Sequence, residues 1–167
     1  VPTAFLRVDH AAAGGVGVKA IEYAQWLFSP AVGTAGRPQK HAQLREAGVG
    51  PLCSSRDGAA SARGLARLLH AHRLHVALNS LSLDFIGASC AALAEGAAFE
   101  EVGKRGVWAS ERLGVAAPAV AHVVIALDDR LIALEAGGRL ALVLSNFGLA
   151  TVHQLPWVNP LAMPFNV

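Results

Sequence analysis

Glycine and alanine crowd a short segment near the start of the chain, where Ala12, Gly14 and Gly17 have the spacing A-x-G-x-x-G. A glycine at such a place lets the backbone approach a pyrophosphate, and the later glycine permits close packing of a helix on a strand. The start of the following helix would add N–H groups and the positive end of its dipole. The pattern predicts a dinucleotide-binding turn in which Ala12 stands at the position of the first glycine. An alanine- and glycine-rich tight turn without a ligand is the alternative interpretation.

Two cations follow the next apolar run, and they bear on which dinucleotide the turn would bind. A site specific for NAD places Asp or Glu about 20 residues beyond the turn, at the ribose 2′-OH. This chain has no acid there and has Arg37 and Lys40 instead, in the sequence TAGRPQK. Arg37 can stack on adenine or pair with a 2′-phosphate, and Lys40 can add a point charge. These residues predict a preference for NADPH over NADH, with two solvated surface cations as the alternative.

The turn and the cations lie among segments that alternate between strand and helix patterns. Strand patterns cover residues 5–10, 31–35, 51–54, 74–78, 97–102 and 120–127. Helical patterns cover residues 17–28, 39–47, 58–72 and 84–93. Strands that alternate with helices of about 10–15 residues are typical of βαβ units. We therefore expect an α/β fold with a Rossmann-type doubly wound parallel sheet.

The composition argues against nucleic-acid and membrane partners. Of the 167 residues, 53% are hydrophobic and only 16% are charged, a share below the roughly 25% typical of soluble domains. The formal net charge of +2 comes from scattered Lys and Arg, without the basic stripe that nucleic-acid binding needs. The uncharged runs contain Asn, Gln, His, Gly and Pro, so none is expected to span a bilayer. A surface so poor in charge indicates a protein partner.

The cysteines and histidines do not have the spacing of a metal site. Cys53 and Cys90 stand alone, without a C-x-x-C pattern, so we expect neither a disulfide framework nor structural zinc. His70, His72 and His75 straddle a helix end and a strand start, which makes a shared coordination face unfavourable. We therefore expect no metal. A reducing compartment fits, with the cytoplasm as the expected location and an organelle as the alternative.

Five segments in one order resemble a known family. AAAGGVGVKAIEYAQWL, TAGRPQKHAQLREAGV, SSRD, HVALNSL and EEVGKRGVWASERL occur in the order, and near the spacing, of zinc-independent medium-chain dehydrogenase/reductases. The most similar members are the enoylreductase domains of modular type I polyketide synthases and of the related animal-type fatty acid synthase. The resemblance covers about residues 5–128.

The resemblance implies roles for individual residues around a bound NADPH and its substrate. The pyrophosphate would be lined by Gly14, Gly15, Val16 and Gly17. The adenosine 2′-phosphate would be surrounded by Arg37, Lys40, Ser55 and Arg56. Near the nicotinamide ribose would lie Asn79, Ser80 and Gly103. Lys104 would help to protonate the reduced substrate, with Asp128, 24 positions later, as its acidic partner; a surface ion pair is the alternative.

The implied activity is NADPH-dependent reduction of an α,β-unsaturated (enoyl) thioester carried on an acyl carrier protein, in polyketide or fatty acid synthesis. Two other interpretations stay open: a free-standing quinone or enone oxidoreductase of the same superfamily, and a non-catalytic, degenerate reductase scaffold. The scaffold interpretation is consistent with Leu83, which occupies a position where the family has glycine, and with the missing substrate half. In a further departure from the family pattern, Arg105 and Gly106 stand where the family has an acidic residue.

The resemblance also divides the chain. Residues 1–128 would form the NADPH-binding Rossmann domain, and residues 129–167 a C-terminal segment that returns toward a GroES-like substrate domain. That substrate domain has no counterpart in this sequence, so we expect it to precede Val1 and the chain to be a partial domain. Other domains of a multidomain synthase would be its partners, and a homodimer is left open.

Overall fold

The computed structural model of the chain describes residues 5–103 and 105–125. Within these residues, six strands form one parallel sheet. The strands are β1 (Arg7–Asp9), β2 (Ala31–Ala35), β3 (Leu52–Ser54), β4 (Leu74–Asn79), β5 (Leu93–Glu101) and β6 (Ala121–Val124). The helices between them are α1 (Gly15–Trp26), α2 (Pro38–Glu46), α3 (Gly58–Leu69), α4 (Asp84–Ala92) and α5 (Ser110–Ala116).

The sheet has the strand order β3-β2-β1-β4-β5-β6. The chain runs outward from β1 to β3, crosses over, and then runs outward from β4 to β6. Strands β1 and β4 are therefore neighbours, with Arg7 opposite Val76 and Asp9 opposite Leu78. This order confirms the predicted Rossmann-type doubly wound parallel sheet, and it places the switch point between β1 and β4.

Helices pack on both faces of the sheet, as a doubly wound fold requires. On one face, α1 and α2 contribute Ile21 and Leu44 to a small core with Ala12, Ala35 and Val49. On the other face, the side chains of α3, α4 and α5 build the larger core around β1 and β5; it includes Val8, Leu65, Ile86, Phe99 and Leu113.

Local signals explain where the helices begin and end. Pro38 stands at the start of α2, where its missing N–H costs nothing. Asp57 caps α3, because its carboxylate accepts the N–H of Ala60 at 2.8 Å. Helix α3 ends at Leu69, before the predicted residue 72, since His70 takes a left-handed conformation with φ of 50°.

Two other elements differ from the sequence prediction. Strand β5 begins at Leu93 rather than at residue 97, because Leu93 pairs with Leu74 before an irregularity in the register. Helix α5 was not predicted from the sequence; its buried residue is Leu113. Among the described residues, no helix is both long enough and apolar enough to cross a bilayer. The predicted C-terminal segment, residues 129–167, lies outside the described residues.

Candidate functional site

The carboxyl ends of the parallel strands meet at one edge of the sheet, and the loops that follow them carry the predicted site residues. The turn after β1 precedes α1, the loop after β2 contains Arg37, and the loop after β3 contains Arg56. Beyond the switch point, Ser80 follows β4 and Gly103 follows β5. In open α/β sheets, ligands bind in the crevice outside these strand ends. The fold therefore brings the predicted loops to one edge.

The turn after β1 is compact and is held by backbone hydrogen bonds. The N–H of Gly14 donates to the carbonyl of Ala11 at 2.8 Å, and the N–H of Ala12 donates to the carbonyl of Thr34 at 2.9 Å. Ala11 takes the left-handed conformation with φ of 49°, which costs energy in a residue with a side chain. Ala12 is fully buried beneath the turn, with its N–H already paired to β2.

The start of α1 offers unpaired N–H groups beside this turn. Gly14 precedes the helix in an extended conformation, and no side chain caps the helix start. The N–H groups of Gly15, Val16 and Gly17 find no acceptor within residues 5–103 and 105–125, and no acidic residue lies in the first helical turn. Such a helix start binds anions through its N–H groups and its dipole.

Two glycines at the start of α1 have different roles. A Cβ added at Gly17 would lie 2.6 Å from Cα of Ala12 and 2.7 Å from the carbonyl oxygens of Ala11 and Ala12, so only glycine fits there. A Cβ added at Gly15 would meet nothing within 4 Å. Gly17 therefore allows α1 to pack on the turn, while Gly15 leaves open space over the helix start. This geometry fits a pyrophosphate that approaches the backbone closely.

A histidine that the sequence prediction missed fixes the base of the turn. His10 is buried, and its Nε2 lies 2.7 Å from Oγ of Ser89, whose own hydroxyl donates to the carbonyl of Phe85. The ring must then donate from Nε2, which leaves Nδ1 to accept from Oγ1 of Thr34 at 3.3 Å. The same Thr34 oxygen accepts the N–H of Ala11 at 3.0 Å. Burial lowers the pKa of His10 to about 4, so the ring is neutral near neutral pH.

The ends of β2 and β3 form a basic corner. A Cβ added at Gly36 would lie 2.6 Å from Nε of Arg56 and 3.1 Å from Oγ of Ser55, so both side chains lie against the Gly36 backbone. Arg37 follows directly as the residue before α2, and Lys40 lies in the first turn of that helix. Arg37, Lys40 and Arg56 are exposed, and none of them makes an ion pair with another described residue. The corner therefore holds cations that are free to bind an anion.

The ends of β4 and β5 form a second, buried polar corner. Asn79 is fully buried, and its Nδ2 donates to Oε2 of Glu101 at 2.7 Å. Oε1 of Glu101 accepts the N–H of Gly103 at 2.6 Å. Ser80 is exposed above this pair, and its hydroxyl donates to the carbonyl of His10 at 3.2 Å. Burial raises the pKa of Glu101, although the hydrogen bonds from Asn79 and Gly103 oppose that rise.

Leu83 lies near this second corner. It takes the left-handed conformation with φ of 62° just before α4, and its side chain is 66% exposed. A Cβ added at Gly106 would lie 2.9 Å from Cβ of Ser82 and 3.6 Å from the Leu83 side chain, so the loop after β5 packs against this segment. Leu83 therefore presents an apolar side chain at the functional edge of the sheet.

Comparison with known proteins places this geometry in a family. No family model matches the chain. The chain is 36% identical over 124 residues to a phenolphthiocerol/phthiocerol polyketide synthase of Mycobacterium tuberculosis, a match that covers 73% of this chain and 6% of that protein. It matches the solved nucleotide-binding subdomain of the enoylreductase domain of PpsC from Mycobacterium tuberculosis with a TM-score of 0.71 and 28% identity, over 84% of this chain and 79% of that one. The chain belongs to the enoylreductase domains of polyketide synthases.

The match lies in the nucleotide-binding half of such enoylreductase domains. The CurK enoyl reductase is similar with a TM-score of 0.72 and 29% identity, and the match covers 86% of this chain but only 41% of the CurK chain. The solved PpsC subdomain, in contrast, is covered over 79% of its length. The chain thus spans a small fraction of the mycobacterial synthase and less than half of the CurK enoyl reductase.

The predicted catalytic pair of this enoylreductase chain, Lys104 and Asp128, lies outside the described residues. Two buried residues at the site, His10 and Glu101, were not predicted from the sequence. His10 directly follows β1, whose three residues are all buried, and Glu101 ends a strand that is otherwise rich in apolar residues. A polar residue at the carboxyl end of a buried strand was the available signal in both cases.

Proposed function

We propose that this enoylreductase chain binds NADPH across the switch point and forms the nucleotide-binding half of an enzyme that reduces an enoyl thioester carried on an acyl carrier protein. Membership in the enoylreductase family supports the reaction class. The observation that carries the choice of cofactor is the basic corner, where Arg56 lies on Gly36 directly beside Arg37. NADPH carries a 2′-phosphate that NADH lacks. The cations of the basic corner could bind this phosphate.

The pyrophosphate would bind at the start of α1. The N–H groups of Gly15, Val16 and Gly17 would donate to its oxygens, and the helix dipole would favour its charge. Gly14 and the buried Ala12 would shape the turn beneath it. The open space over Gly15 supports this fit, because a ligand can reach the backbone there without meeting a side chain.

The adenosine 2′-phosphate would bind at the basic corner. The guanidinium groups of Arg37 and Arg56 can each donate two parallel hydrogen bonds to phosphate oxygens. Ser55 would add a hydroxyl donor, and Lys40 would contribute a point charge from the first turn of α2. An acidic residue, which would favour the free 2′-OH of NADH, is absent from the loop after β2.

The nicotinamide half would lie over the ends of β4 and β5, near Asn79, Ser80 and Gly103. When bound, NADPH supplies the hydride that reduces the carbon–carbon double bond. We assign to Lys104 the positive charge that stabilises the negative charge developing on the thioester oxygen and the proton that completes the reduction at the α-carbon. Asp128 would be its acidic partner. These two roles come from the family resemblance.

The proposed partners follow from the same family. The synthase related to this chain is far longer than the matched segment, which covers 6% of it. We propose that residues 1–128 form the NADPH-binding domain and that the acyl carrier protein and the other synthase domains are its partners. The substrate domain would belong to the same multidomain protein.

Binding measurements on charge variants test the cofactor assignment. The double variant Arg37→Ala/Lys40→Ala should weaken NADPH about thirtyfold, because two partly exposed phosphate contacts at about 1 kcal/mol each multiply to that factor. NADH should bind almost as it does to the wild type. Arg45→Ala is the matched control, since Arg45 is an exposed cation in the last turn of the same helix. Equal weakening of NADPH and NADH would refute the 2′-phosphate assignment.

A further inference from the structure

Two buried polar side chains join the ends of β4 and β5. Asn79 is 0% exposed and Glu101 is 1% exposed, and Nδ2 of Asn79 donates to Oε2 of Glu101 at 2.7 Å. A buried carboxylate is unfavourable unless donors satisfy its oxygens. Here each oxygen of Glu101 has one donor, because the N–H of Gly103 donates to Oε1 at 2.6 Å. Each oxygen of the buried carboxyl group therefore accepts one hydrogen bond inside the protein.

The same pair fixes the backbone of two loops. The carbonyl of Asn79 accepts the N–H of Val102 at 2.8 Å. Its side chain accepts the N–H of Leu81 at 3.3 Å through Oδ1 and donates to the carbonyl of Leu81 through Nδ2. The loop after β4 and the loop after β5 are thus bound to one shared polar pair, which we call the Asn79–Glu101 clamp.

The clamp lies directly against the loop after β5. A Cβ added at Gly103 would lie 2.6 Å from Oε1 of Glu101, so the Gly103 backbone rests on the carboxylate itself. An apolar pair would join the two strands with less desolvation cost, but it would offer no acceptor to the Gly103 N–H. A carboxylate at position 101 therefore determines where the backbone of Val102 and Gly103 lies.

The clamp belongs to the half of the site that would face the nicotinamide. A dinucleotide crosses a Rossmann-type sheet at the switch point, with one mononucleotide over each half. The glycine turn and the basic corner lie in the half formed by β1 to β3, whereas the clamp lies at the ends of β4 and β5. Ser80, which follows the clamp, is joined to the first half through the carbonyl of His10.

We propose that Glu101 is a positioning residue, which acts with Asn79 to hold the loops after β4 and β5 in the shape that receives the nicotinamide half of NADPH. The proposal rests on the proposed NADPH site. Glu101 itself is buried and need not touch the cofactor, since it acts through the backbone of Val102 and Gly103. The buried side chain of Asn79 has the same role, whereas Ser80 and Gly103 are left to contact the ribose.

Calorimetric titration with two ligands tests this role. NADPH fills both halves of the site, whereas adenosine 2′,5′-bisphosphate fills only the half formed by β1 to β3. Glu101→Gln should weaken NADPH binding about tenfold. The new NH2 group would face one of the two donors that Glu101 now accepts from, so one buried hydrogen bond is lost. The affinity for adenosine 2′,5′-bisphosphate should stay unchanged. Glu95→Gln, on an exposed residue of the same strand, is the matched control and should alter neither affinity.

A reciprocal exchange separates positioning from a general loss of structure. In the double variant Asn79→Asp/Glu101→Gln, the amide at position 101 can donate to the new carboxylate at position 79 and still accept the Gly103 N–H, while the hydrogen bond from position 79 to the carbonyl of Leu81 is lost. NADPH affinity should therefore recover in part. Glu101→Asp, which shortens the carboxylate by one methylene, should show the selective loss if Glu101→Gln does not fold. Amide hydrogen exchange at Gly103 should speed up in the single variants and slow again in the exchange variant.

The possible outcomes distinguish the proposed NADPH site from the proposed role of Glu101. If the wild type binds neither ligand, the proposed NADPH site fails, and the role of Glu101 fails with it. If the wild type binds both ligands and folded Glu101 variants bind NADPH normally, only the positioning role is overturned. Parallel weakening of both ligands would also overturn it, because the clamp would then support the whole fold rather than one half of the site.

Discussion

Gly17 offers a direct test of the packing between the glycine turn and α1. In Gly17→Ala, the new Cβ would lie 2.6 Å from Cα of Ala12 and 2.7 Å from two carbonyl oxygens. Ordinary contacts between such atoms are about 3.5–4.0 Å. All three neighbours are backbone atoms, so no side chain can rotate away, and the turn or the helix must move by about 1 Å.

The magnitude follows from two opposing effects. Replacing glycine by alanine inside a helix contributes up to about 1 kcal/mol of stability, whereas overpacking of a closely packed site costs about 1–3 kcal/mol. For Gly17→Ala we expect the overpacking to dominate, with a net loss of about 1–2 kcal/mol in the free energy of unfolding. Gly15→Ala is the matched control, because its Cβ meets nothing within 4 Å and only the helix propensity changes.

Urea unfolding followed by circular dichroism measures both variants. Gly17→Ala should be less stable than Gly15→Ala by about 1–3 kcal/mol. Nicotinamide fluorescence should also show weaker NADPH binding by Gly17→Ala, because the displaced turn moves the N–H groups at the start of α1. Equal unfolding free energies for the two variants would refute the idea that Gly17 sets the approach of helix to turn.

The pH dependence of folding should report His10, whose pKa burial lowers from 6.5 to about 4. The unfolded chain then binds the proton more readily, so stability falls as the pH drops from about 6.5 to about 4, by about 3 kcal/mol in all. The free energies of unfolding of the wild type and of His10→Gln should therefore approach each other as the pH falls across that range. A constant difference between the two free energies would contradict the assignment. For Lys104→Ala in the full-length parent, turnover should fall while NADPH affinity stays; unchanged turnover would remove Lys104 from the mechanism.

Local sequence patterns were sufficient to predict most of the sheet. The run from Ala31 to Ala35 is a strand with the predicted bounds, and the glycine turn lies between β1 and α1 as predicted. The patterns gave wrong bounds where no residue in the sequence marks the change from one element to the next. The alanines around Leu93 favour a helix, so the start of β5 was hidden, and no glycine or proline marks the end of α3 at Leu69.

Contacts between distant residues explain what the sequence could not predict about the site. Ser89, the partner of His10, lies 79 positions further along the chain, and Glu101 lies 22 positions beyond Asn79. The sequence predicted a strand that ends just before Asn79, but only the fold shows that this side chain is buried against Glu101. In the same way, the contact of Arg56 with Gly36 appears only when β2 and β3 are paired.

A single comparison of NADPH and NADH binding tests the central claim most directly. In calorimetric titrations of the wild-type chain at one ionic strength, we predict that NADPH binds at least about tenfold more tightly than NADH, since only NADPH can engage the cations beside Gly36. Equal affinities, or tighter binding of NADH, would contradict the basic corner as a 2′-phosphate site. Failure of both nucleotides to bind below millimolar concentration would contradict the nucleotide-binding function itself and favour a non-catalytic scaffold.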